Sequence, residues 1–571
     1  MTSPAAMTFA GIARRGGGWL PVLGVSTLVG TGCVLALPAV LGHTVDALVE
    51  GGSEGRWLAL AAGLVGLAVV SDLIETYAAT LCVAGTTAWL RERLVRHVLS
   101  VSPEDSRRFS TGDLVSRVSG NAVDAAQAGV GVVTATAAVL PPLGSLVLLA
   151  YIDAWLAAAF LAGVVVCAAV LRAFARRTAA VVTGYQQTQG RIAGRLAESM
   201  SGCRTIAAAG TLDRETRRIL EPLPELHAHG LRTWRVLSRS VAEAGLAGPL
   251  VLGSVLAAGG LLLLRGEISA GELFAASQYA VIGAGLGGLT GIFGQLARAR
   301  AGAQRAAEVF AAAPVRYGRR GLPDGPGRLE LRGVTVRAGE VALLDSVDLV
   351  VPGGAAVAVV GASGSGKSVL AAVAARLRDP EAGQVLLDGV PLDQLSHAVL
   401  RAAVGYAVER PVLVGATVAD AIGPALDRRS VVAAARATQA HDFVSRLPHG
   451  YDTALAAAPL SGGEAQRLGL ARAWHATRLL VLDDATSNLD MVTEMRIGQT
   501  LTADHGGRTR LIITHRAATA ARADLVVWLH EGRVRGFAPH ARLWQQPAYR
   551  EVLGGGPVVA SGGSPSDEAT R

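Results

Sequence analysis

Long, almost uncharged apolar stretches dominate the first 300 residues of the chain. Each of the longest is close to the ~20 residues that a helix needs to cross the hydrocarbon core of a bilayer. The pattern predicts six membrane-spanning helices, at residues 19–41, 57–80, 130–151, 155–175, 244–264 and 272–294. A cleaved signal peptide is excluded for the first stretch because it is too long and five more stretches follow it.

The connections between these stretches differ in their basic residues. The connection between the second and third stretches and the one between the fourth and fifth are long and rich in arginine. The loop between the third and fourth stretches contains no basic residue. Because cytoplasmic loops carry the excess of Arg and Lys, both termini are predicted to be cytoplasmic. The two long connections have a helical pattern, so we expect them to project beyond the membrane.

The hydrophobic pattern changes after residue 311. Residues 312–327 are rich in Pro and Gly, which is typical of a linker, and strands then alternate with helices up to residue 552. We therefore predict a short cytoplasmic segment (1–18) and an all-α polytopic membrane domain with long cytoplasmic extensions (19–311). A linker (312–327), a soluble α/β domain (328–552) and a disordered tail (553–571) complete the predicted chain.

Composition agrees with a membrane protein and adds one unusual feature. Half of the residues are apolar but only 4% are aromatic, and the 70 glycines favour close helix packing in lipid. The net charge is +8, and among the 53 basic residues only Lys367 is a lysine. Since the arginine-rich loops account for the charge, no nucleic-acid partner is predicted. A lysine retained in a chain that otherwise uses arginine indicates a specific role.

Lys367 lies in a glycine-rich loop between an apolar strand and a helix-forming run. This order of elements is typical of a phosphate-binding loop, in which glycines let successive N–H groups point at phosphate oxygens. The lysine brings a full charge to the β- and γ-phosphates, and the next hydroxyl is a ligand for Mg²⁺. The predicted ATP-binding loop consists of Gly361, Ala362, Ser363, Gly364, Ser365, Gly366, Lys367 and Ser368.

Two carboxylates follow a second apolar strand downstream. In the segment 479–484 the strand ends in Asp483 and Asp484. Behind a phosphate-binding loop, the first carboxylate is expected to hold Mg²⁺, and the second to orient or deprotonate the attacking water.

A second glycine turn opens a helix between these two motifs. Such a turn is also an anion-binding device, and a single nucleotide site does not need two of them. Two sites shared between two domains do need both. The turn consists of Leu460, Ser461, Gly462, Gly463 and Glu464.

With these motifs, residues 328–550 resemble the nucleotide-binding domain of ATP-binding-cassette (ABC) proteins, which is of the P-loop NTPase fold. Six spans fused ahead of it resemble an exporter half-transporter, and segments 111–117 and 201–206 resemble that family's two coupling loops. The resemblance implies ATP and Mg²⁺ as cofactors and a second half-transporter as partner, whose ATP is covered by this chain's turn 460–464, the signature.

Further residues take roles that the resemblance implies. His515, at a strand end, is similar to the switch histidine that contacts the γ-phosphate. The segment that is similar to the loop joining the two ATP sites, here called the D-loop, consists of Ser487, Asn488, Leu489 and Asp490.

The sequence departs from the family pattern around its own ATP site. Ala338 stands where an aromatic residue stacks on adenine, and Glu409 where a Gln senses Mg²⁺ and is a candidate metal ligand and catalytic residue. Asp484 replaces the catalytic Glu, and segment 453–459 lacks the acidic residue that touches the coupling helices. The signature is nearly intact, since Glu464 for Gln is a small change.

This asymmetry favours a heterodimer in which the chain's own site holds ATP weakly or turns over slowly. A homodimeric exporter and a regulatory subunit that gates a catalytic partner remain alternatives. The six spans argue against a non-transporting cassette ATPase, and the fusion of both domains in one chain argues against an importer.

The cargo is less constrained by the sequence. Asp72 and Glu75 lie on one face of the second span, where carboxylates are candidates for a substrate cavity. Alternatively, they lie near the membrane surface or pair within the bundle. Segment 406–411 resembles actinobacterial exporters, some of which export modified peptides. A peptide or a hydrophobic small molecule is therefore the predicted cargo, carried across the cytoplasmic membrane of a bacterium.

Overall fold

The computed structural model describes residues 8–50, 54–106, 108–284, 287–503 and 507–554. The chain divides into two compact units, Met1–Leu99 with Phe109–Ala312 and Ser100–Arg108 with Ala313–Arg571. Most of the predicted disordered tail, and the first seven residues of the predicted amino-terminal segment, lie outside the described ranges.

The first unit is helical throughout its described residues. Its helices are α1 (Phe9–Ala13), α2 (Trp19–Glu50), α3 (Glu54–Val98), α5 (Thr111–Ser116), α6 (Ala122–Ala126), α7 (Ala128–Ala137), α8 (Leu140–Ile152), α9 (Ala154–Ser201), α10 (Cys203–Ala209), α11 (Leu212–Leu220), α12 (Leu223–Leu264), α13 (Ala270–Ala284) and α14 (Gly287–Ala311), with α4 (Pro103–Ser106) in the second unit. A π-helical turn, Arg117–Asn121, joins α5 to α6.

Three helical segments of the described residues are long and apolar enough to cross a membrane: Trp19–Glu50, Gly55–Ser100 and Thr111–Ile152. They contain the first three predicted spans. Shorter apolar helices at Ala154–Val166 and Gly248–Leu264 overlap the fourth and fifth predicted spans. The sixth predicted span covers α13 and the start of α14, and its residues 285 and 286 lie outside the described part.

Within the segment Thr111–Ile152, a turn at residues 138–139 divides the third predicted span, 130–151, into two helices. Helix α7 ends at Ala137 and α8 begins at Leu140. Pro141 and Pro142 follow directly, and because proline has no N–H, neither residue can bond a carbonyl four residues earlier. Two other helices are much longer than a crossing needs: α9 has 48 residues and α12 has 42, so α9 alone is about 72 Å long.

The segment that resembles the first coupling loop is held to the last helix of the unit by Arg117. Its guanidinium bonds Asp113 at 2.7 Å, Glu308 at 2.8 Å and the carbonyl of Arg305 at 2.6 Å. Because this side chain is only 10% exposed, the ion pairs are partly shielded from water and position the loop more firmly than surface pairs do.

The second unit contains two sheets. The four-stranded antiparallel sheet has the order β2 (Val341–Val351), β1 (Leu329–Ala338), β4 (Ala382–Leu387), β5 (Val390–Pro391). The six-stranded sheet has the order β10 (Arg533–Ala538), β9 (Leu525–His530), β3 (Ala356–Val360), β8 (Thr509–Ile513), β7 (Leu479–Asp483), β6 (Val404–Val408). Only the β10–β9 pair of the larger sheet is antiparallel.

The remaining elements of this unit are helices. They are α15 (Lys367–Ala374), α16 (His397–Ala403), α17 (Val418–Ile422), α18 (Arg428–Ala437), α19 (His441–Ser445), α20 (Gly462–Ala473), α21 (Met491–Ala503), α22 (Ala517–Arg522), α23 (His540–Leu543) and α24 (Pro547–Gly554). Helices α17 to α20 share a separate apolar cluster that includes Phe443 and Leu468. Helix α20 therefore packs in a small core distinct from the main core of the unit.

Four parallel strands end at one edge of the larger sheet. In the register, Asp483 lies beside Val408 on one side and Ile513 on the other, and Ile513 lies beside Val359. Since the carboxyl ends of parallel strands share one edge, the residues that follow β3, β8, β7 and β6 are brought together there.

The residues predicted as a linker make contacts of their own with the second unit. Tyr317 packs against the main core between the sheets, and the Arg316 carbonyl accepts a 2.6 Å hydrogen bond from Arg376. Arg376 also lies over the Tyr317 ring. These contacts explain why the second unit begins at Ala313.

Candidate functional site

The glycine-rich loop follows β3, all five of whose residues are buried. Gly364 and Gly366 have φ angles of 80° and 98°, which side chains other than glycine adopt only with strain. At Gly361 a Cβ atom would lie 2.3 Å from the Leu529 carbonyl oxygen. The loop can therefore curl beneath a ligand only because glycine occupies these positions.

Lys367 begins α15 and is 6% exposed. Its ammonium donates to the carbonyls of Gly361 and Ala362, both at 2.8 Å. Burial lowers the pKa of Lys367, and the charges of Asp484 and Asp483 oppose that shift. Among the described residues the ammonium forms no ion pair, and a buried cation without an anion is costly. The site therefore fits a polyanion such as a nucleotide phosphate chain.

Oxygen ligands suited to Mg²⁺ lie beside this lysine. The Ser368 hydroxyl donates to Asp483 Oδ1 at 2.9 Å, and the Tyr406 hydroxyl donates to Asp483 Oδ2 at 2.9 Å. Mg²⁺ commonly takes one or two protein oxygens and completes its shell with water and phosphate. Ser368 and Asp483 would hold the ion, which supplies charge neutralisation at the phosphates. Sequence reasoning missed Tyr406, whose position in β6 gave no signal of this contact.

Removing the Tyr406 hydroxyl should weaken Mg²⁺ binding without removing a ligand. We expect Tyr406→Phe to raise the Mg²⁺ concentration needed for half-maximal ATP binding by the purified chain about tenfold, since outer-shell partners orient the ligands. Titrating Mg²⁺ at fixed ATP measures this. Tyr549→Phe, which removes a hydroxyl bonded to His540 in a different core cluster, is the matched control. Equal Mg²⁺ dependence of Tyr406→Phe and wild type would contradict the assignment.

The structure brings together the three predicted catalytic residues. His515 Nε2 lies 3.5 Å from Asp484 Oδ2. Burial raises the pKa of Asp484, His515 lowers it, Asp483 raises it further, and Glu409 acts in the same direction as Asp483. Glu409 follows β6 and so lies beside Asp484, which follows β7. A carboxylate with a raised pKa beside an imidazole can accept a proton from water.

The backbone at Asp484 is strained. Its φ of 49° lies in the left-handed region, which costs free energy but which aspartate tolerates better than most residues. Gln466, 1% exposed on α20, supports this conformation. Its Nε2 donates to the Asp484 carbonyl at 3.3 Å and its Oε1 accepts from Asn488 N–H at 3.2 Å. Gln466 therefore joins the catalytic strand end, the D-loop and the signature helix, a role that sequence reasoning did not assign.

Ala338 and the signature were also predicted to serve nucleotide binding. Ala338 is exposed at the end of β1 and lines an open cleft of about 1160 Å³ with Arg337 and Arg378, and no residue of 361–368 lines it. The signature begins α20 and is accessible at Ser461 and Gly462. Among the described residues, no hydrogen bond joins the signature to the phosphate loop.

The D-loop is anchored at both ends. The Ser487 carbonyl accepts from Arg516 at 3.3 Å, Leu489 is buried, and Asp490 caps α21 through the N–H groups of Val492 and Thr493. In the first unit, Asp72 is exposed and Glu75 half-buried on α3. Neither forms an ion pair with a described residue.

Known protein families match both units. The family described as ABC transporter transmembrane region matches residues 20–284. The family described as ABC transporter matches residues 344–487, a range that contains Lys367, the signature and the two carboxylates after β7.

Individual relatives match most of the chain. The ABC transporter ATP-binding protein RamA of Streptomyces coelicolor is 47% identical over 527 residues, covering 91% of this chain and 83% of that protein. An ATP-dependent lipid A-core flippase of Chromobacterium violaceum is 28% identical over 93% of this chain and 94% of its own length. A multidrug efflux ATP-binding/permease protein of Mycobacterium bovis is 33% identical over 67% of this chain and 33% of its own length.

Proposed function

The chain belongs to the ABC transporter family, whose members couple ATP hydrolysis to transport across a membrane, and from this premise we propose that it is half of a heterodimeric exporter. It is a multi-pass bacterial membrane protein with a helical transmembrane domain and a nucleotide-binding domain. ATP binding to the two nucleotide-binding domains would close them together and turn the cargo cavity outward, and hydrolysis would reset it.

Asp484, the residue directly after β7, carries the proposal of unequal sites. Lys367, Ser368 and Asp483 form a complete set for binding Mg²⁺ and phosphate. Asp484, next to His515, has a carboxylate one methylene shorter than the family's glutamate, and a misplacement of about 1 Å can cost about 10² in rate. Ala338 offers no ring for adenine. This site is therefore suited to binding ATP and hydrolysing it slowly, in contrast to a fully catalytic site.

The signature supports a role toward a partner. Its glycines and helix N-terminus form an anion-binding turn, and among the described residues no hydrogen bond joins this turn to the chain's own phosphate loop. In the proposed dimer the turn completes the partner's site, with the D-loop between the two. The domain bounds predicted above, and a cytoplasmic location of both termini, are parts of this proposal that rest on hydropathy and on arginine placement.

We infer a peptide or a hydrophobic small molecule as cargo. Relatives named as a lipid A-core flippase and a multidrug efflux protein support an amphipathic or hydrophobic substrate. Asp72 and Glu75 have no ionic partner among the described residues, and charges within a membrane usually face a cavity or a partner. We propose that they line a cavity shared with the second half-transporter and bind a cationic part of the cargo.

Comparing the chain alone with the two-chain transporter tests the heterodimer. The chain would be purified by itself and together with a candidate partner half-transporter, and ATPase activity would be measured in lipid nanodiscs. We expect the chain alone to show less than about a tenth of the pair's rate, because its Asp484 carboxylate is one methylene shorter than the family's glutamate and such reactions are sensitive to a shift of about 1 Å. Robust hydrolysis by the chain alone that Asp484→Asn abolishes would instead establish a homodimer.

A further inference from the structure

The signature serine is engaged by a carboxylate of its own helix. The Ser461 N–H and the Ser461 hydroxyl both donate to Glu464 Oε2, at 2.8 Å and 2.9 Å. In return the Glu464 N–H donates to Ser461 Oγ at 3.3 Å. This is a capping box at the start of α20. Both hydrogen-bond donors of the serine are therefore already used by one carboxylate oxygen.

The Glu464 carboxylate lies at the N-terminus of α20, where a helix attracts anions. Helix α20 has 12 residues, and its N-terminus carries a partial positive charge. Among the described residues, the main-chain N–H groups of Gly462 and Gly463 make no hydrogen bond. The turn thus keeps two donors for an incoming anion, while Glu464 places a negative charge beside them.

Glu464 stays ionised at neutral pH. The hydrogen bond from the Ser461 main chain lowers the pKa of its carboxyl group; partial burial opposes that shift, and the Ser461 hydroxyl and the charges of Arg467 and Arg446 add to it. Arg467 does not form an ion pair with it, since its guanidinium bonds the Gln439 carbonyl at 2.7 Å and lies over the Phe443 ring. The negative charge at the turn is therefore only partly offset.

We propose that Glu464 is an internal competitor that the γ-phosphate of the partner's nucleotide must displace before the signature can close over it. The proposal rests on the function proposed above, in which the signature completes the partner's site. Closure then requires the Ser461 hydroxyl to turn from the carboxylate to the phosphate, and requires two negative charges to approach. The competitor sets the ATP concentration at which the transporter closes.

The variant Glu464→Gln distinguishes the effect of the negative charge of Glu464 from the effect of its side-chain shape. A glutamine has the same length, and its amide oxygen can still accept the Ser461 N–H, so the helix cap is kept. The competing charge is removed. If the carboxylate served only as a helix cap, its loss would weaken the turn slightly and could not improve nucleotide closure.

The experiment measures ATP hydrolysis by the purified two-chain transporter in lipid nanodiscs as a function of ATP concentration. We expect Glu464→Gln to lower the KM for ATP about tenfold, a modest value because solvent screens an exposed charge pair. The difference from wild type should shrink when salt is raised from about 0.05 M to about 0.5 M. Glu551→Gln, the same substitution on the exposed face of α24, is the control and should leave the KM unchanged.

The possible outcomes are distinct. A KM in Glu464→Gln equal to or above that of wild type, with wild type active, overturns the competitor while leaving the proposed function in place. A lower KM that is equally lower at high salt also overturns it, since the effect would not be electrostatic. A wild-type transporter that hydrolyses no ATP removes the proposed function, and the competitor with it.

Discussion

Replacing Lys367 with arginine is expected to weaken nucleotide binding at this chain's site strongly, although the substitution keeps the positive charge. Lys367 is 6% exposed, and its ammonium lies 2.8 Å from two loop carbonyls. A planar guanidinium with five donors does not fit a position built for a compact ammonium, and overpacking a buried site is destabilising. We expect the affinity for ATP to fall about 10²-fold, in line with the sensitivity of such sites to misplacement of about 1 Å.

Binding of a fluorescent ATP analogue to the purified chain measures this effect. Arg328→Lys, the reverse exchange at a half-exposed position paired with Glu330, should leave the affinity unchanged. Lys367→Met should match Lys367→Arg if the ammonium itself is required. Wild-type affinity in Lys367→Arg would show that the retained lysine has no special function and reflects chance.

Lengthening the carboxylate at position 484 should accelerate this chain's own site. We expect Asp484→Glu to raise its rate of ATP hydrolysis about 10²-fold, because the carboxylate moves about 1 Å toward the position that the family's glutamate occupies. The left-handed backbone at this residue opposes part of the gain, since glutamate tolerates positive φ less well than aspartate. Single-turnover hydrolysis, with the partner's site inactivated, isolates the rate of this site.

The direction of the pH dependence follows from the raised pKa of Asp484. A general base acts in its ionised form, so the rate of this site should fall as pH decreases toward that raised pKa. Asp484→Asn keeps the size of the side chain and removes both the residual rate and this acid limb. If Asp484→Glu is no faster than wild type, carboxylate length is not what slows the site.

Several features were predictable because their cause lies within a short segment. A stretch of about 20 apolar residues such as 57–80 indicates a membrane crossing by its hydropathy alone. A loop of glycines between a strand and Lys367 indicates phosphate binding by local geometry. Even so, a turn interrupts the third span just before Pro141 and Pro142. The two prolines are visible in the sequence, but a hydropathy pattern does not register their effect on helical hydrogen bonds.

The assembly of the site depended on contacts between distant segments. Ala356 of β3 pairs with Arg510 of β8, and Val408 of β6 with Asp483 of β7; this strand order brings Glu409, Asp484 and His515 to one edge. Tyr406 and Gln466 acquire their roles only through that packing, since each is an ordinary polar residue in its own segment.

The chain's motifs alone established an ABC-type transporter subunit with a membrane domain, a phosphate loop and a signature. The phosphate-binding role predicted for Lys367 could be inferred from the sequence because the loop that holds this residue is contiguous. Only the folded domain showed that Asp483 is held by Ser368 and Tyr406, and that Glu464 engages the signature serine. The physical reason is that glycine geometry and hydropathy act over a few residues, whereas strand pairing and the aim of a side chain are decided by hydrogen bonds and packing across the whole domain.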